Sequence, residues 1–179
     1  ELEQFLLLTR EQKLDPHSVT GSYAGAMGIP QFISSSYRNF AVDFDKDGSI
    51  DIWTNPADAI GSVANYFREH GWLSGQDIIT RAQVSGERYK ELLDTKLEPN
   101  LTLDQLAGYG VSARTEHQPD MKAKLLSYEL EQGAELWLGF TNFYVITRYN
   151  HSALYAMAVY QLADAIASAP GNGLVRLDE

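Results

Sequence analysis

Asp43-Phe44-Asp45-Lys46-Asp47-Gly48-Ser49-Ile50-Asp51 is the stretch from which the rest of this chain is read. Asp43, Asp45 and Asp47 alternate, so their carboxylates can converge on one point as the backbone curls around it. Gly48 takes the sixth position, where a calcium loop turns sharply and a Cβ would clash. Ser49 at the seventh offers its backbone carbonyl, Ile50 points inward as an apolar anchor, and Asp51 can act through a water. Four aspartates in nine residues repel one another, and a divalent cation offsets that repulsion. The alternative is a solvated acidic turn, because Asp-Gly is common turn chemistry. The twelfth position, a bidentate Glu in the common pattern, is Thr54 here. Closure falls instead to Asp58, in a longer loop, 43–58. Asp58 also reads as the third residue of a helix that Asn55 caps and Pro56 begins. A carboxylate with four lone-pair sites can fill both roles. The candidate calcium ligands are therefore Asp43, Asp45, Asp47, Ser49 and Asp58.

Composition narrows what surrounds this loop. The chain has 179 residues, 44% of them hydrophobic, enough for one sizeable domain. Lys plus Arg is 14 against Asp plus Glu at 24, a net charge of −10, which argues against a general nucleic-acid binder. With no cysteine, a disulfide framework and a thiolate zinc site are both excluded. No run approaches the roughly eighteen apolar residues of a membrane span. The opening Glu1-Leu2-Glu3-Gln4-Phe5 reads as the middle of a helix with no cap before it, so a piece of a longer protein is expected.

Upstream of the loop, Leu2, Phe5, Leu6, Leu8 and Leu14 fall near helical spacing and Pro16 ends the run. The segment Gly21 to Phe32 (GSYAGAMGIPQF) is glycine-rich, as where backbone packs tightly or approaches a ligand. A short helix is expected from Ser34, leading to Phe40. Residues 56–70 predict the clearest helix, with Ile60, Val63, Ala64 and Phe67 on its apolar face and Gly71 as its stop. Ile78 to Val84 reads as a strand. Thr102 and Gln105 form a capping box for another helix. Leu125–Leu130 and Glu135–Phe140 read as two strands about Gln132-Gly133. A last helix runs from Ser152 to about Ala169. The expected class is mainly α (α+β), with a small β portion between about 78 and 140.

The glycine-rich segment, the acidic loop, Asp58-Ala59-Ile60-Gly61-Ser62-Val63-Ala64-Asn65-Tyr66-Phe67 and Asn142-Phe143-Tyr144-Val145-Ile146-Thr147-Arg148-Tyr149-Asn150 together resemble the lytic transglycosylase B family of Gram-negative bacteria. They occur in that family's order from end to end. The resemblance implies the C-terminal part of a lysozyme-like catalytic domain, 1–179, with an EF-hand-like loop at 43–58 and a structural Ca2+. It implies periplasmic cleavage of the MurNAc–GlcNAc bond of peptidoglycan with a 1,6-anhydro product. Glycan strands would be the substrate, cell-wall synthesis enzymes candidate partners, and an outer-membrane lipid anchor a possibility of the family. It also implies the substrate contacts: Ser22 beside the catalytic acid, Gln31 and Tyr66 on the sugars, Tyr144 and Tyr149 near the acid, and Arg148 for an anionic group. Read without the resemblance, Ser22 is a helix N-cap for residues 23–27, Gln31 a polar loop residue, and Tyr66 a core ring.

One element of the family pattern is missing. Its catalytic glutamate sits in a Gly-Val-Glu-Thr-like segment upstream of the region matching Glu1, and no such motif occurs in these residues. Glu1, Glu3 and Glu11 read as helix-face charges. The chain alone is therefore expected to be inactive, the upstream segment completing it. Two alternatives stand beside this reading: a non-catalytic peptidoglycan-binding module of the same fold, and a dockerin-like calcium interaction module, which would carry two loops.

Overall fold

Three of the helices begin where the sequence supplies a side-chain cap. Asn55 Oδ1 accepts the backbone N–H groups of Ala57 and Asp58 at 2.9 and 3.5 Å, and Pro56 opens the helix Pro56–Glu69. Thr102 and Gln105 form the expected box: the Thr102 N–H donates to Gln105 Oε1 at 2.9 Å, and the Gln105 N–H to Thr102 Oγ1 at 3.2 Å. Ser152 Oγ accepts from the Tyr155 N–H at 3.2 Å at the start of the last helix.

The computed structural model describes residues 1–169, which divide into two units, Glu1–His70 and a second from Gly71 onward. The first unit holds α1 (Leu2–Glu11), α2 (Ser34–Phe40) and α3 (Pro56–Glu69). Leu8, Met27, Phe32, Tyr37, Ile52, Ala59 and Tyr66 are buried in it. The guanidinium of Arg38 on α2 grips the Glu11 carboxylate of α1 with two hydrogen bonds of 2.8 and 2.7 Å. Glu1 accepts the Ser35 N–H at 3.0 Å and its hydroxyl at 2.8 Å. Two of the three N-terminal glutamates thus tie α1 to α2.

The buried face of α3 is not the apolar one. Asp58 and Ser62 are fully buried beside Ala59, Gly61 and Tyr66, whereas Ile60 is 69% exposed and Ala64 is exposed too. Local hydrogen bonds explain the reversal, because a buried polar group with partners carries little penalty. Ser62 Oγ accepts from the Val42 N–H at 3.0 Å, and Asp58 is doubly satisfied as described below.

The second unit contains β1 (Ile79–Val84), β2 (Leu101–Thr102), α4 (Leu103–Ala107), β3 (Val111–Ala113), β4 (Lys122–Leu130), β5 (Gly133–Gly139), α5 (Thr141–Tyr149) and α6 (Ala153–Ser168), with a 3₁₀ turn at Arg88–Leu92. Its strands form one antiparallel sheet in the order β2-β4-β5-β1-β3. The β portion lies where the sequence placed it, but with five strands it organises the whole unit. Of the described residues 39% are helix and 18% strand, so the α+β expectation stands with a larger β part. Along β4 and β5, Ala123, Leu125 and Leu138 pack into a core with Leu106, Val111 and Phe140.

Two features fix α5. A Cβ on Gly139 would stand 2.9 Å from the Phe143 ring and 3.1 Å from Leu126, so the helix approaches the strand over a glycine. Asn142, buried in the first turn of α5, accepts the Leu73 N–H at 2.8 Å and donates to the Leu73 and Gln76 carbonyls at 2.8 and 2.9 Å.

Candidate functional site

Between α2 and α3 the acidic loop forms the expected convergence. Oxygens of Asp43, Asp45 and Asp47 lie within 4.8 Å of one another. Gly48 has φ +94°, as the sixth position requires. The curl is held by backbone donors: Asp43 accepts from the N–H groups of Asp47 (3.1 Å) and Gly48 (2.9 Å), and Asp47 from Ser49 (2.8 Å). Three hard oxygen donors on a turning backbone suit a calcium ion.

Asp58 stands outside that triad of carboxylates. One of its oxygens accepts the Phe44 N–H and the other the Asp51 N–H, both at 2.8 Å, so it clasps the two ends of the loop. It does not reach back to Asn55 as a capping-box acid does. Asn55 turns its Nδ2 to Asp45 instead, at 2.8 Å, linking the cap of α3 to the triad. Thr54, at the position of the missing Glu, donates its N–H to Asp51 at 2.9 Å and its hydroxyl to the same carboxylate. These hydrogen bonds, the Thr54 hydroxyl foremost, hold Asp51 below the usual carboxylate range. Tyr37 donates its hydroxyl to the Ile50 carbonyl at 2.9 Å. Burial, then the charges of Asp51 and Asp58, push that phenol up to about 12, so it remains a donor.

The exit of the loop supports the glycine-rich segment. Ile29 donates its N–H to the Ile52 carbonyl at 2.9 Å, and a Cβ on Gly28 would stand 2.6 Å from that same oxygen. Residues 21–32 form two tight turns rather than a helix. Gly25 donates to the Ser22 carbonyl at 2.8 Å, Gln31 to Gly28 at 3.2 Å, and Met27 and Phe32 exchange both backbone bonds. Ser22 consequently caps no helix; its Oγ accepts the Ala26 N–H at 3.1 Å. With Phe5 and Met27 it lines a largely apolar cavity of about 280 Å³. Gln31 is exposed at φ +55°, its amide nitrogen donating to the Gly28 carbonyl at 2.8 Å. Tyr66 is a core ring, 8% exposed, stacked on His70 at 3.9 Å and edge-on to Phe40 at 4.9 Å.

The other three candidates belong to the second unit and to α5. Tyr144 and Arg148 face a groove of about 480 Å³ shared with residues 95–98 and Asn100. The guanidinium carbon of Arg148 lies 5.8 Å from the Tyr144 ring centre, and its Nη1 is 3.4 Å from His151 Nε2. Tyr149 is half-buried at the end of α5.

Residues 1–164 match the transglycosylase SLT domain. The chain belongs to that family. This SLT domain is 46% identical to membrane-bound lytic murein transglycosylase B of Escherichia coli K12 over 169 residues, 94% of this chain and 45% of the relative. It superposes on Pseudomonas aeruginosa soluble lytic transglycosylase SltB1 with a TM-score of 0.88 and 51% identity, covering 93% of this chain and 55% of that one. Escherichia coli lytic transglycosylase Slt35, solved in complex with calcium, gives 0.83 and 44%, with 93% and 52% coverage. Pseudomonas aeruginosa SltB3, solved with NAG-anhNAM-pentapeptide, gives 0.77 and 34%, with 93% and 45%. The SLT domain chain thus spans about half the length of the relatives it matches. Membership in this family sets aside the dockerin-like reading.

Some candidate residues were not legible beforehand. From sequence, His151 is as good a cap for the last helix as a site residue, but Ser152 is the cap of α6. Lys96 carried no signal, because a lysine in an irregular segment looks the same wherever it points.

Proposed function

We propose that this SLT domain is the peptidoglycan-cleaving part of a lytic transglycosylase, acting on the MurNAc–GlcNAc β-1,4 bond and leaving a 1,6-anhydro end. The match to the transglycosylase SLT domain over residues 1–164 carries the reading. In the reaction, a carboxylic acid protonates the glycosidic oxygen. As the carboxylate, it then takes the proton of the sugar's C6 hydroxyl, which attacks the anomeric carbon in place of water. The oxocarbenium-like species between these steps is sheltered by hydrogen bonds and shape. In this reading the acid is a glutamate of the parent protein lying N-terminal to Glu1, within a lysozyme-like catalytic domain. Ser22, on its turn beside an apolar cavity, neighbours that acid. Gln31 offers an amide to hydroxyls and N-acetyl groups, and Tyr144 and Tyr149 offer rings with hydroxyl handles. Tyr66 acts on the sugar through its core-anchored position, and Arg148 meets an anionic group.

The acidic loop is read as a structural calcium site of EF-hand type, lying between two helices. Asp43, Asp45 and Asp47 hold the ion, with the Ser49 carbonyl and Asp58 completing the shell. Each Asp58 oxygen keeps one lone pair beyond its N–H bond. The setting is periplasmic; among the described residues no helix is long and apolar enough to cross a membrane.

Incubation with purified sacculi tests the reading. The parent protein should release 1,6-anhydromuropeptides, and residues 1–179 alone should release none. Reducing-end products without the anhydro ring would refute the transglycosylase assignment, and release by residues 1–179 would refute the upstream acid. Binding to sacculi without release by the parent would make it a glycan-binding module.

A further inference from the structure

We propose that the groove between α5 and residues 95–100 binds the peptide stem of peptidoglycan, an acidic peptide that also carries an ammonium group. This rests on the reading of the chain as a peptidoglycan-acting domain, and it separates a peptide subsite from the sugar contacts.

The charges in the groove make the case. The protein as a whole is acidic, with a net charge of −10, yet Lys96 and Arg148 line this one groove together, with Glu98 as the single carboxylate among its lining residues. Arg148 is not loosely placed. Its guanidinium lies near the Tyr144 ring, at 5.8 Å, and directs Nη1 to His151 Nε2 at 3.4 Å. Guanidinium can only donate, so His151 Nε2 is the acceptor in that contact. The groove thus presents two cations and one anion around about 480 Å³, within the range of small-ligand sites.

A glycan strand has no use for such a set. Its sugars are neutral, and the lactyl carboxyl of the muramic residue is consumed in the amide to the peptide. Rings with hydroxyl handles and neutral amides suffice for it. The stem peptide carries the missing charges. Its γ-linked glutamyl residue has a free α-carboxylate. In walls built on a diamino diacid, the next residue bears an ammonium and a carboxylate, and the last residue ends in another carboxylate. Lys96 and Arg148 match carboxylates, and Glu98 matches the ammonium. Tyr144 lines the same groove, so the subsite adjoins a proposed sugar contact on one helix.

The test compares two probes on the full-length protein by calorimetric titration: the GlcNAc-MurNAc disaccharide tetrapeptide and the same disaccharide with a simple lactyl amide in place of its peptide, which keeps the lactyl group uncharged. The peptide-bearing probe should bind about five- to tenfold more tightly, the sum of a few partly exposed ion pairs. Lys96→Glu should cut that advantage to under twofold, and N-acetylation of the diamino residue should weaken binding to wild type but not to Glu98→Gln. Equal affinity of wild type for both probes overturns the subsite while leaving the glycan reading intact. So does an advantage that survives Lys96→Glu. Failure of both disaccharides to bind overturns the peptidoglycan reading itself, and the subsite with it. Lys96 and Glu98 are both exposed, so neither substitution touches the core.

Discussion

Each Asp58 oxygen holds one backbone N–H from opposite ends of the acidic loop. Removing that carboxylate leaves the Phe44 and Asp51 donors without acceptors in a partly buried setting. Hydrogen bonds to a charged group contribute about 1.5–3 kcal/mol each. Asp58→Ala should therefore lower the unfolding free energy by on the order of 3 kcal/mol in urea melts without metal. A loss under about 1 kcal/mol would show that Asp58 acts only through an ion. Asp94 gives the pH counterpart. Its carboxylate accepts from the buried Lys124 ammonium at 2.7 Å, and this bond, ahead of the Lys96 N–H, holds its pKa below 3.8. A depressed carboxyl stabilises the fold fully above its unfolded value and loses that effect as pH falls through the lowered folded value. The stability lost by wild type below pH about 4 should thus shrink in Asp94→Asn; parallel profiles of the two proteins down to the acid limit would refute the pairing.

At the scale of elements, the two turns of residues 21–32 allow a matched comparison. Gly25 and Gly28 both have positive φ, +78° and +66°. A Cβ at Gly25 meets nothing within 4 Å, whereas one at Gly28 meets the Ile52 carbonyl oxygen at 2.6 Å. Gly25→Ala should cost only the left-handed penalty, about 1–2 kcal/mol. Gly28→Ala should cost clearly more and also loosen the Ile29–Ile52 bond, readable as faster amide exchange at Ile29. Equal costs would mean that the loop exit does not brace the turn. Signals at element ends were legible beforehand: Asn55 and Thr102 each cap the helix expected of them, the last helix begins next to Ser152 as expected, and the β4–β5 hairpin turns beside Gly133. The inner face of α3 was not. Ile60, Val63, Ala64 and Phe67 make the better hydrophobic stripe, but the core side is set by Asp58 and Ser62, whose burial depends on N–H partners 14 and 20 residues away in sequence. Periodicity weighs each side chain by its own polarity and cannot register a partner that the fold delivers. The N-cap reading of Ser22 fails for a nearer reason: the Ser22 N–H donates to the Ala26 carbonyl and the Gly25 N–H to the Ser22 carbonyl, which closes a turn where a helix would start. For the site, the triad of carboxylates could be read from spacing alone, whereas the groove of Tyr144 and Arg148 could not, because Lys96 and Glu98 reach it only through the placement of an irregular segment.

For the whole molecule, the proposed calcium site makes a prediction through mass action. If the ion binds the folded loop alone, each hundredfold excess over Kd should add about 2.7 kcal/mol. Wild type should melt higher with added calcium and lower with chelator, and Asp45→Ala should erase the difference. An unchanged midpoint with and without chelator would end the proposal. Because Asp58 already holds both ends of the loop, an arriving cation meets a ring that is closed in advance. Joining the ends of the eight-residue segment 44–51 costs about 2 kcal/mol in chain entropy, and here that ordering is completed by backbone donors during folding. Ion capture therefore requires little rearrangement, and its rate should follow diffusion and desolvation rather than a search through loop conformations. On the calcium reading, the clasp would make the acidic loop a preorganised receptor whose readiness is inherited from folding itself.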